Sequence, residues 1–354
     1  MAAGHFRRGV DGLTLSSVGL GTYLGRPDGA TDGLVETAVQ VGLRSGRVNV
    51  VDTAINYRFQ RAERSVGRAL ARAVAAKHVG REAVFISTKA GYLAPDIESD
   101  VPPEEWVERT LVRTGVLRPD DIVEGCHSMA PDYLVDQIER SRNNLGLETL
   151  DLVYLHNAPD TQLPVVGPIE FGRRLRQAFT TLEELRRRGT IGSYGLATWD
   201  SLRVAPDDPS YLSLELAVNM ARDAGGSSHG FRSIQFPFNL AMPEAASSAN
   251  QPVGGRTVPL FEAASALGIA CFTSIPLVQG QLARSGPTDR TLSRAQTALQ
   301  FARSAPGSRA ALVGAKGPEH LSEDLQLAEV APWSPETFQQ RLREWGRGPT
   351  HPRR

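Results

Sequence analysis

The feature that most constrains the fold of this 354-residue chain is a repeated alternation of short apolar runs and helical patterns. The runs are continuously apolar, which is typical of parallel strands buried on both faces. Eight such units closed into a ring form an α/β fold, the (β/α)8 TIM barrel, which takes roughly 250 residues. The strands are predicted at 17–22, 47–54, 82–91, 150–157, 191–198, 233–239, 269–276 and 308–315.

A helix is predicted after each strand, because apolar residues recur there every three or four positions. An open, doubly wound sheet is the alternative fold, but no strand is followed by the glycine-rich phosphate loop that such sheets carry. The barrel is therefore favoured, as one domain over 1–340 with a tail at 341–354. The main helical patterns lie at 34–42, 62–75, 131–146, 173–189, 210–225, 257–268, 291–305 and 318–330.

Two segments are additional to the repeating units. Residues 6–16 contain Asp11-Gly12 between extended runs, which predicts an N-terminal β-hairpin at the bottom of the barrel. Residues 92–130 form a long insertion after the third strand, on the face where TIM barrels carry their active sites. A helical pattern at 102–115 within the insertion indicates either packing against a neighbouring helix or part of a lid over the substrate.

Composition narrows the function classes. The net charge is zero and no basic block occurs beyond the short tail "GRGPTHPRR" (346–354), which argues against nucleic-acid binding. No apolar run approaches the roughly 18 residues that a membrane span requires. The two cysteines, Cys126 and Cys271, lie far apart and form no metal or redox motif. We therefore expect a cytoplasmic protein with no metal, no membrane contact and a small-molecule partner.

Ionisable side chains stand at the C-terminal ends of three successive predicted strands. Asp52, Lys89 and His156 end the second, third and fourth strands, and Tyr57 follows shortly after Asp52. A nearby ammonium is expected to lower the pKa of a tyrosine, while a carboxylate keeps the lysine charged. A histidine opposite can donate a hydrogen bond to a substrate oxygen. The set predicts a general acid aimed at a carbonyl oxygen, with a hydride supplied by a cofactor.

Several segments resemble the aldo-keto reductase family along nearly the whole chain. They are "VGLGTY" (18–23), "VVDTAINY" (50–57), "ISTKAG" (86–91), "LDLVYLHN" (150–157), "IQFPFNL" (234–240) and "VGAKGPEHLSEDL" (313–325). That family consists of TIM-barrel carbonyl reductases that use NAD(P)H. The resemblance implies that Asp52, Tyr57, Lys89 and His156 form its catalytic tetrad.

The resemblance also implies a cofactor site. Gln235 matches a family glutamine at the nicotinamide, whereas Ala197 and Thr198 replace Ser-Asn, and Ser274 replaces an aromatic residue. A helix N-terminus close to Lys316 suits a phosphate, and the family binds the adenosine phosphate there. The residues matched at that end are Gly314, Lys316, His320, Glu323 and Asp324. NADPH is the expected cofactor and NADH the alternative.

Tyr23, which matches an aromatic residue that the family has after its first strand, is a candidate substrate contact, and so are Tyr92 and Trp199. The leading hypothesis is an NADPH-dependent reductase of aldehydes or ketones. One alternative is a cofactor-binding regulatory barrel with little turnover. Another is a dehydratase or isomerase that uses Tyr57 and His156 as acid and base without net redox chemistry. The physiological substrate and the oligomeric state stay open.

Overall fold

A computed structural model describes residues 1–10, 12–289, 291–314 and 317–346. Eight parallel strands close into a barrel, in the order β11-β12-β3-β4-β5-β6-β7-β8. The predicted TIM barrel is therefore confirmed, and each strand lies within or next to its predicted range. The barrel strands are β3 (Val18–Gly21), β4 (Val50–Asp52), β5 (Phe85–Ala90), β6 (Leu150–His156), β7 (Ile191–Ala197), β8 (Phe231–Pro237), β11 (Ala270–Ser274) and β12 (Ser308–Gly314).

Two antiparallel hairpins lie outside the barrel. In the first, β1 (Phe6–Arg8) pairs with β2 (Thr14–Ser16), as the N-terminal pattern predicts, although Asp11 lies outside the described residues. Leu15 packs into the inner core between the strands, so this hairpin covers one end of the barrel. In the second, β9 (Ala249–Val253) pairs with β10 (Arg256–Pro259). The helix predicted from residue 257 begins only after this hairpin.

Helices surround the barrel and bury the outer face of the strands. They are α1 (Gly29–Arg44), α2 (Arg61–Ala75), α3 (Pro103–Trp106), α4 (Pro131–Leu145), α5 (Ala158–Arg187), α6 (Leu214–Gly225), α7 (Glu244–Ser247), α8 (Leu260–Ala266), α9 (Gln281–Ser285), α10 (Arg294–Ser304), α11 (Pro318–Leu325) and α12 (Pro335–Trp345). Helix α5 starts well before its predicted range and is broken at Gly167, which has φ 76°. Helix α12 extends past residue 340, which is the predicted end of the domain, and its Phe338 and Leu342 are buried.

The insertion after β5 has a small hydrophobic core of its own. Trp106 at the end of α3 is 3% exposed and packs with Leu111 and with Tyr133 of α4. The backbones of Tyr92 and His127 pair in an antiparallel bridge, so the insertion returns to the point where it leaves the barrel. The helical part of the insertion is thus packed against α4. Packing against a neighbouring helix is the first of the two roles that the sequence suggests for it.

Candidate active site

The C-terminal end of the barrel brings together the side chains predicted from the strand ends. Asp52 is the last residue of β4, Lys89 lies near the end of β5, and His156 is the last residue of β6. Strands β4, β5 and β6 are hydrogen-bonded neighbours. Parallel strands end at the same rim, so the order of the strands is sufficient to place these three groups together.

The loop after β4 places Tyr57 beside them. The N–H groups of Thr53 and Ile55 donate to the carbonyls of Ser87 and Lys89, which keeps the loop alongside β5. Residues 58–60 then adopt left-handed backbone angles, with φ from 52° to 72°, before α2 begins. This conformation is uncommon for residues other than glycine. The loop therefore reverses direction sharply just after Tyr57.

Asp52 and Lys89 form a buried ion pair. Lys89 Nζ donates to Asp52 Oδ2 at 2.6 Å and to the Thr53 carbonyl at 2.8 Å. The other oxygen of Asp52 accepts from Ser87 Oγ at 2.7 Å and from Gln235 Nε2 at 2.8 Å. Burial acts to lower the pKa of Lys89, but attraction to Asp52 and Tyr57 outweighs it, and the pKa is raised. Lys89 is therefore an ammonium at neutral pH.

The ring of Tyr57 lies above this pair. Lys89 Nζ is 4.8 Å from the ring centroid, and the ring makes edge contacts with Tyr23 at 5.0 Å and His156 at 5.7 Å. Lys89 acts to lower the pKa of Tyr57, but burial has the larger effect and the pKa is raised. The prediction of a lowered tyrosine pKa is thus wrong in its net direction. Tyr57 carries its proton at neutral pH.

His156 is buried and uncharged. Its pKa is held well below the ordinary value by burial, then by the charge of Lys89, and then by the neighbouring imidazole of His127. Its Nδ1 lies 3.2 Å from Asn56 Oδ1, and its backbone carbonyl accepts from His127 Nε2 at 2.8 Å. Sequence reasoning missed Asn56 and His127. The one feature of the sequence that could have pointed to Asn56 is its position directly before Tyr57. His127 lies in the insertion, where no such feature marks it.

Three residues proposed for the nicotinamide end lie on the same rim. Thr198 directly follows β7, and its N–H donates to the Gln235 carbonyl of β8 at 2.8 Å. The Thr198 hydroxyl is buried and has no hydrogen-bond partner within the described part of the chain. Ser274 ends β11 and pairs with Pro237. A buried hydroxyl without a described partner at this rim is a hydrogen-bonding group that a ligand with a carboxamide could use.

The residues proposed for the adenosine end follow β12. Gly314 ends β12, next to Gly21 of β3. His320 is exposed on α11, and Asp324 is buried there with its pKa raised to about 7, chiefly by burial and then by Glu323. Lys316 lies outside the described residues. None of the described contacts joins α11 to the four residues Asp52, Tyr57, Lys89 and His156.

The candidate substrate contacts differ in their distance from this group. Tyr23 is 59% exposed and touches Tyr57. The ring of Tyr92 meets the edge of His156 at 5.1 Å. Trp199 is 44% exposed, and its backbone N–H donates to Asp160 Oδ2 at 3.0 Å. Among the residues that the structure describes, Trp199 makes no ring contact with the group formed by Asp52, Tyr57, Lys89 and His156.

Comparison with known proteins identifies the family. The model of the aldo/keto reductase family matches residues 18–223. The chain belongs to this family of oxidoreductases. Within the described ranges, no cluster of three or more histidine, cysteine or acidic residues could hold a metal ion. No helix in those ranges is both long and apolar enough to cross a membrane.

Individual relatives are distant. The NADH-specific methylglyoxal reductase of Escherichia coli is 25% identical over 199 residues, which are 54% of this chain and 51% of that protein. The match thus spans about half the length of this curated relative. An aldo-keto reductase from Klebsiella pneumoniae in complex with NADPH is 19% identical, with a TM-score of 0.63 over 99% of this chain and 96% of that one. The holo form of an aldo-keto reductase from Bacillus halodurans is 17% identical, with a TM-score of 0.64 over 98% and 97%. These structures share the fold.

Proposed function

We propose that the protein is an NAD(P)H-dependent reductase that converts an aldehyde or ketone to an alcohol. The observation that carries the proposal is the buried Lys89–Asp52 ion pair directly beneath the protonated Tyr57. This arrangement is suited to deliver a proton to a carbonyl oxygen and then to stabilise the tyrosinate that remains.

Each of the four residues has a separate task. Tyr57 donates its proton to the carbonyl oxygen as negative charge develops there. The Lys89 ammonium lies close enough to lower the energy of the phenolate that forms. Asp52 holds Lys89 charged and in place, and is itself fixed by Ser87 and Gln235. His156 lies next to Tyr57 as a neutral imidazole. NAD(P)H, when bound, supplies the hydride to the carbonyl carbon.

The cofactor is proposed to bind along the same rim. Gln235, Thr198 and Ser274 would hold the nicotinamide end, and the unpartnered Thr198 hydroxyl is a hydrogen-bonding group available there. The adenosine end would lie at Gly314, His320, Glu323 and Asp324, together with Lys316. NADPH is proposed because the Klebsiella relative binds it, and NADH is the alternative because the Escherichia coli relative is NADH-specific. A cytoplasmic location and a small-molecule carbonyl substrate belong to the same proposal.

A Tyr57→Phe variant tests this proposal. Phenylalanine keeps the ring contacts with Tyr23, His156 and Lys89 but removes the transferable proton. We expect kcat for carbonyl reduction, followed by NADPH absorbance, to fall by at least about 100-fold, the usual effect of losing a general acid. Cofactor affinity, followed by tryptophan fluorescence, should stay within about twofold. Activity within tenfold of the wild type would remove Tyr57 as the acid.

Tyr211→Phe is the matched control. Its hydroxyl donates to the Asn250 carbonyl, and no described contact joins Tyr211 to Asp52, Tyr57, Lys89 or His156, so this variant should keep its kcat. Saturable NADPH binding with no turnover of any carbonyl would instead indicate the regulatory barrel. Loss of a carbonyl compound without NADPH would indicate the dehydratase or isomerase.

A further inference from the structure

Three consecutive residues after Tyr57 have a backbone conformation that residues other than glycine rarely adopt. Arg58, Phe59 and Gln60 have positive φ angles of 52°, 55° and 72°. The Cβ atom lies too close to the backbone in this region, so such residues normally occur singly and persist only where their surroundings hold them. The turn at 58–60 is therefore strained, and contacts with other parts of the chain are needed to hold it.

The backbone of this turn gives it limited support. The Gln60 N–H donates to the Ile55 carbonyl at 3.0 Å, but three other hydrogen bonds of the turn are long, at 3.3–3.4 Å. They run from the N–H groups of Phe59, Arg61 and Ala62 to the carbonyls of Asn56, Arg58 and Tyr57. Phe59, in the middle of the turn, is exposed. The remaining support comes from the side chains of Arg58 and Gln60.

Arg58 ties the start of the turn to α1. It is 6% exposed, and its guanidinium forms an ion pair with Asp32 of α1, which is 5% exposed. Its Nη2 also donates to Ser65 Oγ of α2 at 3.4 Å. Both charges of the pair leave water, which is favourable only when the geometry is well fixed. The buried guanidinium therefore serves as an anchor within the protein and not as an exposed charge for a substrate.

Gln60 ties the end of the turn to two further segments. It is 2% exposed. Its Nε2 donates to the Ala94 carbonyl of the insertion at 2.9 Å, and its Oε1 accepts from Asn144 Nδ2 of α4 at 3.1 Å. Side-chain contacts thus hold both ends of the turn that directly follows Tyr57.

We propose that Arg58 is a positioning residue, whose buried ion pair with Asp32 holds the strained turn and thereby sets where Tyr57 meets the carbonyl oxygen. The role in the reaction rests on the proposed reductase function, whereas the hold on the turn does not. Without the ion pair, the turn would relax towards negative φ and carry Tyr57 away from its place above Lys89. A displacement of about 1 Å in a reacting group is enough to cost about 100-fold in rate.

Alanine and glycine at position 58 separate the strain from the loss of the ion pair. Both remove the guanidinium, and Asp32 keeps its contact with Arg61 Nη2 at 2.7 Å in either variant. Alanine still disfavours positive φ, whereas glycine adopts it readily. We expect kcat for carbonyl reduction to fall by about 100-fold in Arg58→Ala, and to be at least about tenfold higher in Arg58→Gly than in Arg58→Ala. The KM for NADPH should stay within about twofold in both variants, because the proposed cofactor residues lie on other strands.

Hydrogen exchange of residues 55–62, measured by mass spectrometry on the free protein, follows the turn without any substrate. Exchange should be about tenfold faster than in the wild type in Arg58→Ala, and slower in Arg58→Gly than in Arg58→Ala. Lys77 provides the matched control, because it also has a positive φ, 56°, but is exposed after the end of α2. Lys77→Ala and Lys77→Gly should leave both kcat and the exchange of 55–62 unchanged.

Equal kcat values in Arg58→Ala and Arg58→Gly would overturn the proposal, because strain in the turn would then have no effect on the reaction. Exchange of 55–62 in Arg58→Ala at the wild-type rate would also overturn it. If Arg58→Ala does not fold, Arg58→Met, which fills more of the buried space, takes its place in the comparison with glycine. If neither the wild type nor any variant reduces a carbonyl compound, the reductase proposal fails, while hydrogen exchange still decides whether Arg58 holds the turn.

Discussion

The buried carboxyl group of Asp324 leads to a quantitative prediction of how the stability of the protein depends on pH. Its side chain is 3% exposed on α11, and no hydrogen bond from a described residue lowers its pKa. Burial, and then the charge of Glu323, raise its pKa from 3.8 to about 7. At 1.36 kcal/mol per pH unit, that difference corresponds to about 4 kcal/mol of free energy.

The sign follows from proton binding. Between pH 3.8 and about 7 the folded chain holds a proton on Asp324 that the unfolded chain has released. Stability therefore falls as the pH rises through this window, and the loss is complete above about 7. Asp324→Asn keeps the shape and removes the ionisation. We expect its free energy of unfolding to exceed that of the wild type by up to about 4 kcal/mol at pH 8, and by little at pH 4.

Urea unfolding followed by tryptophan fluorescence at pH 4, 6 and 8 measures this difference. Glu319→Gln is the control, because Glu319 is exposed on the same helix and should change stability by less than about 0.5 kcal/mol at each pH. A stabilisation of Asp324→Asn that is equal at pH 4 and pH 8 would refute the reasoning. So would no stabilisation at pH 8, because the buried carboxylate would then carry no penalty.

Two further substitutions test the packing of the site. Lys89→Met leaves a buried carboxylate without its cation, so the free energy of unfolding should fall by about 3–5 kcal/mol, whereas exposed Lys77→Met should cost under about 0.5 kcal/mol. In Gly91→Ala the new Cβ would lie 2.5 Å from His127 Nε2 in a backbone with φ 131°, so the clash should cost about 1–3 kcal/mol in addition to the cost of the positive φ. Gly125→Ala, with φ 67° and open space, should cost only about 1 kcal/mol. Urea denaturation checks all four variants, and equal effects within either pair would contradict the argument.

The barrel was predictable because its signal is repeated. Eight apolar runs, each followed by a helical pattern, leave few folds that bury them all, and adjacent strands then bring Asp52, Lys89 and His156 to one rim. The hairpin β9–β10 was missed although Gly254-Gly255 is a recognised turn signal. Pro252 lies in β9, and a proline within a run argues against a strand unless the strand lies at an edge, as it does here.

The start of α5 was missed for a related reason. Pro164, Gly167 and Pro168 argue against a continuous helix, and the chain accommodates them with a break at Gly167. At the site, the direction in which the pKa of Tyr57 shifts depends on whether burial or the charge of Lys89 has the larger effect. That balance of two opposing effects requires three-dimensional distances. The contact between Asn56 and His156 joins residues 100 positions apart and leaves no trace in local sequence.

The paired backbone at Tyr92 and His127 has a consequence for how this chain can vary. Because the insertion begins and ends at one point, with its own small core on α4, a change in its length can be absorbed inside it. The barrel strands would keep their register through such a change. The two residues at the junction also contact His156, so they tie the inserted segment to the candidate active site. The segment can thus diverge as a separate module, provided that this junction is retained.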